Sequence, residues 1–225
     1  MSKPSRVSRR DRIRACLEEM YDRLLCAFGP QHWWPGETAF EIMVGAVLTQ
    51  NTAWSNVEKA IANLKAEELL EPECLGRASK EELARLIKPA GYFNVKAERL
   101  KNLITLIMAH GGGDPPRLLE KPLEHLRPDL LEVKGIGPET ADSILLYAAG
   151  YPVFVIDAYT RRILDRHGLA EGSETYEQLQ GLFMNHLPHD PALYNEYHAL
   201  LVHLGKHFCK PKPLCEDCPL DGWEA

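Results

Sequence analysis

Hydrophobic residues recur along most of the chain at steps of three and four positions, which is the spacing of one face of an α-helix. The first run spans Ile13 to Phe28 and leaves arginine and glutamate on the opposite face. Similar runs predict helices over residues 38–50, 57–64, 79–89, 100–107, 140–149, 159–167, 175–187 and 193–207. No segment shows the two-residue alternation of a strand, so the pattern predicts an all-α protein of about ten helices.

The composition is that of an ordinary globular protein. Of the 225 residues, 45% are hydrophobic and 26% are charged, which argues against a disordered tail, a coiled-coil rod or a fibre. The length allows one or two domains. The candidate domain boundary is at residues 150–152, where one predicted helix ends before the next segment begins. No apolar run reaches the length of a membrane helix, and charged residues continue where a secretory apolar segment would stand. We therefore expect a cytoplasmic protein with no membrane partner.

Charge is unevenly distributed along the chain. There are 26 lysines and arginines against 32 acidic residues, so the formal net charge is −6. Residues 1–12 and 203–212 are nevertheless locally basic. Net charge therefore does not exclude a nucleic-acid partner, because the local distribution of charge decides such contacts.

Two glycines one residue apart, Gly135 and Gly137, stand between two predicted helices. Glycine permits a tight hairpin, and Pro138 suits the first turn of the helix that follows. Backbone N–H groups of such a turn, next to the positive end of a helix, can hold a phosphate without any side-chain charge. The same pattern is compatible with a plain helical hairpin whose glycines only allow close packing.

Asp157 follows the apolar run 153–156 and precedes a predicted helix. Aspartate is a favoured N-cap residue, so a structural role accounts for its position. A carboxylate at a helix start can also stabilise an oxocarbenium-like sugar or activate a water molecule. One residue can serve both purposes.

Four segments in a fixed order carry a resemblance to a known family: Leu-Thr-Gln-Asn-Thr at 48–52, Gly-Ile-Gly-Pro-Glu-Thr-Ala at 135–141, Ile-Asp at 156–157, and the C-terminal cysteines. Over about residues 13–220, the chain resembles the helix-hairpin-helix DNA glycosylases of the endonuclease III superfamily. The resemblance implies a two-domain all-α enzyme that flips a damaged base out of double-stranded DNA and cleaves its N-glycosidic bond.

The same resemblance implies the domain organisation. A six-helix barrel-like module is expected at residues 31–151, and residues 1–30 and 152–225 are expected to form a second helical domain with a Cys-rich loop at 209–218. A monomer is the simplest expectation for an enzyme that reads a duplex. Such a protein is expected in the cytoplasm, associated with the nucleoid.

The family's functional residues carry over to matching positions. Its catalytic aspartate falls on Asp157, its phosphate-binding hairpin on Gly135 and Gly137, and the wedge that fills the vacated base stack on Gln50. Members that also cleave the DNA backbone have a lysine two residues after the second hairpin glycine, where it forms a Schiff base. Here Glu139 stands at that position. Lys134 does not occupy it, so we expect a monofunctional glycosylase in which water attacks the sugar.

Three of the four tryptophans surround the segment that carries Gln50. In the 3-methyladenine glycosylase branch, which the chain resembles most, these positions form the base pocket, with Glu139 near its floor. The pocket residues are Trp33, Trp34, Pro35 and Trp54. A cationic alkylated purine gains cation–π attraction against indole that a normal base does not. The alternative is a hydrophobic cap over the core, since tryptophan is usually highly buried.

Three cysteines lie within ten residues, at Cys209, Cys215 and Cys218. The other three cysteines are scattered in apolar surroundings, so a disulfide scaffold is not expected. Cys-x₂-Cys followed by proline resembles iron–sulfur ligation, and the superfamily places a [4Fe–4S] cluster here. The family's fourth cysteine falls on Glu224. Zinc bound by these thiolates with a nearby histidine is the alternative.

The expected role of the cluster is structural, because it would hold a basic loop against phosphate. The phosphate contacts are expected from Lys206, Lys210 and Lys212. A solvated lysine-rich segment is the plainer interpretation of the same residues.

The same residues are compatible with three other functions. The first is an endonuclease III-like glycosylase and AP lyase that acts on oxidised pyrimidines. The second is a non-catalytic module that binds damaged DNA through the hairpin and the metal loop. The third is an iron–sulfur redox or transfer protein without DNA affinity.

Overall fold

The computed structural model describes residues 8–224. Within that range it contains helices and no strands, so the all-α prediction is confirmed. The chain divides into two compact units: Trp34–Tyr151 forms one, and the residues up to Trp33 together with those from Pro152 form the other. None of the described helices is long and apolar enough to cross a membrane.

The helices follow one another along the chain with short connections. They are α1 (Arg9–Phe28), α2 (Ala39–Leu48), α3 (Trp54–Ala66), α4 (Pro72–Arg77), α5 (Lys80–Leu86), a 3₁₀ turn (Lys88–Ala90), α6 (Phe93–Gly111), α7 (Pro115–Leu119), α8 (Leu123–Glu132), α9 (Pro138–Ser143), a π-helical turn (Ile144–Ala148), α10 (Ala158–Arg166), α11 (Tyr176–Met184) and α12 (Pro191–His207).

In the unit formed by Trp34–Tyr151, α2 is the buried element. It is apolar on most sides because nearly all of its residues are enclosed by α3, α6, α9 and the π-helical turn. Thr38 caps it by accepting a hydrogen bond from the backbone N–H of Glu41. The buried carboxylate of Glu41 pairs with Lys65 at 3.0 Å, so the charge is compensated where the helix begins.

The other unit is organised by α12, which packs against α1 and α10. The hydroxyl of buried Tyr197 donates to the carbonyl oxygen of Leu17 at 2.8 Å and joins α12 to α1. Gly205 allows the Tyr159 ring to lie against α12, because a Cβ at this glycine would come within 2.5 Å of that ring. The first turn of α10, where Asp157 is the N-cap, is thereby fixed against α12.

Some local predictions differ from the structure. The helix expected over 140–149 begins at Pro138 and continues as a π-helical turn from Ile144. Two helices, α4 and α7, were not expected from the sequence. They have 6 and 5 residues, which is too short for a periodic pattern. The helix expected before the glycine hairpin is α8, whose bounds were not predicted because Pro128 interrupts its pattern. Part of the basic run at 1–12 lies outside the described residues.

Candidate nucleic-acid interface and active site

The glycine-rich segment forms a tight turn between α8 and α9. Gly135 has a left-handed backbone with φ of +97°, which favours glycine. Ile136 is buried, whereas Gly135 and Gly137 are exposed. Gly137 is the N-cap of α9, and Pro138 occupies its first turn. The turn therefore presents backbone rather than side chains to solvent. This arrangement allows backbone N–H groups to contact a phosphate.

The two helices that flank this turn are joined by a partly buried ion pair. Arg127 of α8 donates to both carboxylate oxygens of Asp142 in α9, at 2.8 Å and 3.2 Å. Such a bidentate contact fixes orientation as well as distance. Because Asp142 is fully buried, the pair gives the hairpin a rigid base.

Gln50 follows the C-terminus of α2 and is half-buried. Its Nε2 donates to the carbonyl oxygen of Gly135 at 3.1 Å and to Oγ1 of Thr140 at 2.9 Å. Its Oε1 accepts a hydrogen bond from Nη1 of Arg99. The residue predicted as the wedge is therefore hydrogen-bonded to Gly135, one of the two residues predicted to hold phosphate.

An aromatic cluster lies in the same unit, with Trp34 at its centre. The ring of Trp34 meets Trp54 edge-on, with centroids 5.0 Å apart and planes at 84°. It also contacts Tyr147, whose centroid is 5.0 Å away at 42°. Gly45 of α2 makes room for this indole, because a Cβ there would lie 3.2 Å from Cζ2 of Trp34. All three rings are half-buried, so the cluster keeps aromatic surface accessible.

The remaining predicted pocket residues have different surroundings. Trp33 is half-buried and belongs to the unit that contains both terminal parts of the chain. Pro35 is exposed. Glu139 is exposed in the first turn of α9. Of the predicted pocket residues, Trp34 and Trp54 are therefore brought into direct ring contact.

Asp157 lies in the unit formed by both terminal parts of the chain, at the start of α10. Its Oδ1 accepts the backbone N–H of Thr160 at 2.7 Å and caps the helix, as the sequence predicts. Its Oδ2 lies 3.9 Å from Nε2 of His198. Burial lowers the pKa of His198, and the nearby Asp157 only partly opposes this effect. At neutral pH the imidazole is therefore uncharged and adds no positive charge beside Asp157.

Two arginines of α10 hold the segment that begins at Cys209. Arg162 donates to the carbonyl oxygens of Cys209 and Gly205, at 2.7 Å and 3.2 Å. Arg166 donates to Sγ of Cys209 at 3.2 Å and to the carbonyl oxygens of the two residues that follow. The Cys-rich loop is thus tied to the helix that Asp157 caps.

The three clustered cysteines line one cavity of about 420 Å³. Cys209 is buried, Cys218 is half-buried and Cys215 is exposed. Burial raises the pKa of the Cys218 thiol. Glu224, at the family's fourth cysteine position, lines the same cavity.

The donors around this cavity are thiols. Among residues 8–224, no group of three His, Cys, Asp or Glu side chains is already arranged to hold a metal ion. Thiols of this kind are ligands both for an iron–sulfur cluster, which takes each on a different iron, and for zinc. The residue types present therefore fit the cluster that the sequence predicts.

The three lysines of the basic segment are all exposed. Lys206 lies in the last turn of α12, while Lys210 and Lys212 belong to the loop that Arg166 fastens. Their ammonium groups are therefore available on a fixed stretch of backbone.

Sequence reasoning missed three residues of these arrangements: Arg99, Tyr147 and His198. Tyr147 lies in the π-helical turn and His198 lies in α12 among apolar residues. A histidine within an apolar helical face is the signal that would have selected His198 for closer study. Arg99 carries no such signal. The partners of both residues are too far away in sequence to be identified from it.

An all-helical chain with a glycine hairpin, a capping aspartate at a helix start and a Cys-rich loop defines a helix-hairpin-helix class of protein. The model of the family described as HhH-GPD superfamily base excision DNA repair protein matches residues 44–189. The chain belongs to this superfamily, and it is a DNA glycosylase of base excision repair.

Similar proteins cover nearly the whole chain. A Methanocaldococcus jannaschii protein named "Putative DNA repair glycosylase MJ1434" is 46% identical over 205 residues, which are 91% of this chain and 93% of that protein. Endonuclease III of Thermotoga maritima is 32% identical over 90% of this chain and 89% of its own. The crystal structure of H. pylori 3-methyladenine DNA glycosylase (MagIII) bound to 1,N6-ethenoadenine aligns with a TM-score of 0.70 and 31% identity, over 87% of this chain and 96% of that chain.

Proposed function

We propose that this protein flips an alkylated purine, such as 3-methyladenine, out of double-stranded DNA and hydrolyses its N-glycosidic bond. The observation that carries the proposal is the aromatic cluster of Trp34, Trp54 and Tyr147. Its half-buried, electron-rich rings attract a cationic base more strongly than a neutral one. The similar H. pylori glycosylase, which was crystallised with an ethenoadenine, supports a modified purine as the substrate.

The proposed reaction uses Asp157 as the catalytic residue. Its Oδ1 accepts the N-cap hydrogen bond of α10 from Thr160, so Oδ2 is the atom available to the sugar. A carboxylate in this position stabilises positive charge as the glycosidic bond breaks and orients the attacking water. Alkylation makes the base a good leaving group, which lowers the demand for a general acid.

The nucleophile is proposed to be water. Glu139 stands where lyase members have lysine, and a carboxylate cannot form an imine with the sugar. The products are then the free base and an intact abasic strand. In this scheme Glu139 contacts the base, together with Trp33 and Pro35.

DNA binding is proposed to involve both units. The backbone at Gly135 and Gly137 holds a phosphate, and Gln50 enters the space that the flipped base leaves. The phosphate contacts of the second unit come from Lys206, Lys210 and Lys212. The protein is proposed to act as a cytoplasmic, nucleoid-associated monomer.

The Cys-rich loop is proposed to hold a [4Fe–4S] cluster through Cys209, Cys215 and Cys218. The carboxylate of Glu224 lines the same cavity. When bound, the group supplies a structural cross-link for the loop. Arg162 and Arg166 orient the loop backbone, and the exposed lysines meet the DNA.

The test is base release from separate duplexes that carry a methylated purine, thymine glycol, or adenine opposite 8-oxoguanine. Each product is scored with and without alkali, and Asp157→Asn is the inactive control. Release of 3-methyladenine, with strand breakage only after alkali, is the expected result. Borohydride is expected to trap no covalent adduct with the unaltered protein. Glu139→Lys, which restores an amine at the family's lyase position, is the matched variant for trapping.

Other results would replace the proposal. Release of thymine glycol with direct strand breakage would identify an endonuclease III-like lyase for oxidised pyrimidines. Binding to damaged and intact duplexes with no release from any of them would identify a non-catalytic DNA-binding module.

A further inference from the structure

The side-chain amide of Gln50 is fully hydrogen-bonded within the protein, so it is not free to enter DNA. Its amide nitrogen donates to Gly135 and Thr140, at 3.1 Å and 2.9 Å, and its amide oxygen accepts from Arg99. An amide side chain has two donor hydrogens and one acceptor oxygen, and all three groups are engaged. Insertion into a base stack therefore requires these contacts to be exchanged.

Arg99 of α6 contacts both Gln50 and the hairpin at Gly135. A Cβ at Gly135 would come within 2.5 Å of Cγ and 2.8 Å of Nε of Arg99, so the arginine stem runs directly under the hairpin. Its guanidinium reaches Gln50 at the same time. One side chain thus contacts both the residue proposed as the wedge and the turn proposed to hold phosphate.

The neighbouring residues of α6 fix the backbone on both sides of this contact. Lys96 donates to the carbonyl oxygens of Leu48 and Ala90, at 2.9 Å and 2.7 Å. Asn102 donates to the carbonyl oxygen of Lys134 at 2.9 Å, just before the hairpin. Lys96, Arg99 and Asn102 are three residues apart, so they lie along one face of the helix. The loop of Gln50 and the hairpin are therefore anchored to a single rigid element.

The loop turns directly after Gln50. Asn51 has a left-handed φ of +52°, a conformation that asparagine adopts more readily than most other residues with a side chain.

We propose that Arg99 is a positioning residue that docks Gln50 on the hairpin and restrains it from entering undamaged DNA. This inference rests on the proposed role of Gln50 as the wedge. Docking on the hairpin and insertion into the base stack then compete for the same amide group of Gln50. Base flipping becomes conditional on the release of Gln50 from these contacts.

The experiment measures base extrusion with duplexes that contain 2-aminopurine paired with thymine, read by fluorescence, and DNA affinity by polarisation. Arg99→Met keeps an unbranched stem under Gly135 but removes the guanidinium. We expect extrusion of this undamaged base to rise about threefold or more. Affinity for an abasic duplex is expected to change less. Arg85→Met, an exposed arginine of α5, is the matched control and is expected to behave like the unaltered protein.

A double-mutant cycle separates positioning from a general effect on folding. In a Gln50→Ala background, Arg99→Met is expected to have no effect on extrusion, because the docked side chain is gone. If Arg99→Met fails to fold, Thr140→Val removes another anchor of Gln50 and is expected to act in the same direction. An effect of either variant that persists without Gln50, or no effect in its presence, overturns the proposal.

The same cycle tests the wedge role separately. If Gln50→Ala alone leaves extrusion of both damaged and undamaged bases unchanged, Gln50 is not the wedge, and the restraint by Arg99 is overturned with it. If Gln50→Ala lowers extrusion but neither anchor variant changes it, the wedge role stands and only the restraint is wrong.

Discussion

The carboxylate of Asp157 accepts a hydrogen bond from the backbone N–H of Thr160, with 2.7 Å between Oδ1 and the nitrogen. The residue proposed to act on the sugar is thus also the N-cap of α10. The two roles use different properties of the side chain. The cap requires an oxygen acceptor, whereas stabilisation of a sugar cation requires negative charge.

Asp157→Asn is therefore expected to separate the two roles. The amide oxygen still accepts from Thr160, because asparagine caps helices about as well as aspartate. Excision is expected to be abolished while DNA binding is retained. Single-turnover base release and binding to an abasic duplex measure these two properties. Normal turnover by this variant would exclude Asp157 as the catalytic residue.

Asp157→Ala removes the cap as well as the charge. It is expected to lower the free energy of unfolding by about 1 kcal/mol more than Asp157→Asn does. Urea unfolding of the two variants gives this difference directly. Equal stabilities would show that the bond to Thr160 contributes nothing to α10.

The aromatic cluster leads to a prediction about substrate choice. Trp54→Ala removes one ring from contact with Trp34 and is expected to reduce excision of alkylated purines about 10-fold, since an aromatic contact with a cation contributes on the order of 1 kcal/mol or more. Binding to the abasic product, which has no base to stack, is expected to change much less. Trp54→Phe keeps an aromatic face and is expected to recover part of the rate. Equal losses in excision and product binding would instead identify Trp54 as a structural residue.

The Cys-rich loop is open to a measurement that does not depend on excision. Cys218→Ser is expected to lower the iron and acid-labile sulfide bound per chain and to weaken the visible absorption of the purified protein, because it removes a thiolate from the cavity. Cys26→Ser is the matched control, since Cys26 is exposed on α1. Iron content that is equal in the two variants would contradict the assignment of Cys218. Stoichiometric zinc without sulfide would contradict the cluster.

Local features of the fold could be predicted because their causes are local. The hydrophobic period runs through most of α1 and α12, which have 20 and 17 residues, and Ser79 and Asp157 cap the helices that they precede. The short helices and the π-helical turn could not be predicted in this way. They are stabilised by packing against other elements rather than by their own pattern.

The contacts of the site could be predicted only in part. Gly135, Gly137 and Gln50 stand out because glycine spacing and the family motif select them. Neither a spacing nor a motif selects Arg99, since its contact with Gln50 joins residues 49 positions apart. The same holds for His198, which reaches Asp157 from another helix. Contacts of this kind depend on which faces pack together, and one sequence does not specify that.

Lys96 provides a prediction about pH. The side chain is 1% exposed, and burial lowers its pKa from 10.5 to about 8. The unfolded chain, whose lysine keeps its ordinary pKa, then binds more protons than the folded protein between about pH 8 and 10.5. Stability contributed by this group therefore rises with pH across that window.

Relative to Lys96→Met, the free energy of unfolding of the unaltered protein is expected to rise by up to about 3 kcal/mol between pH 7 and 10.5. Urea unfolding at several pH values measures this gain, with Lys59→Met, an exposed lysine of α3, as the control that follows the unaltered protein. A difference between the unaltered protein and Lys96→Met that stays constant with pH would mean that Lys96 titrates alike in the folded and unfolded states.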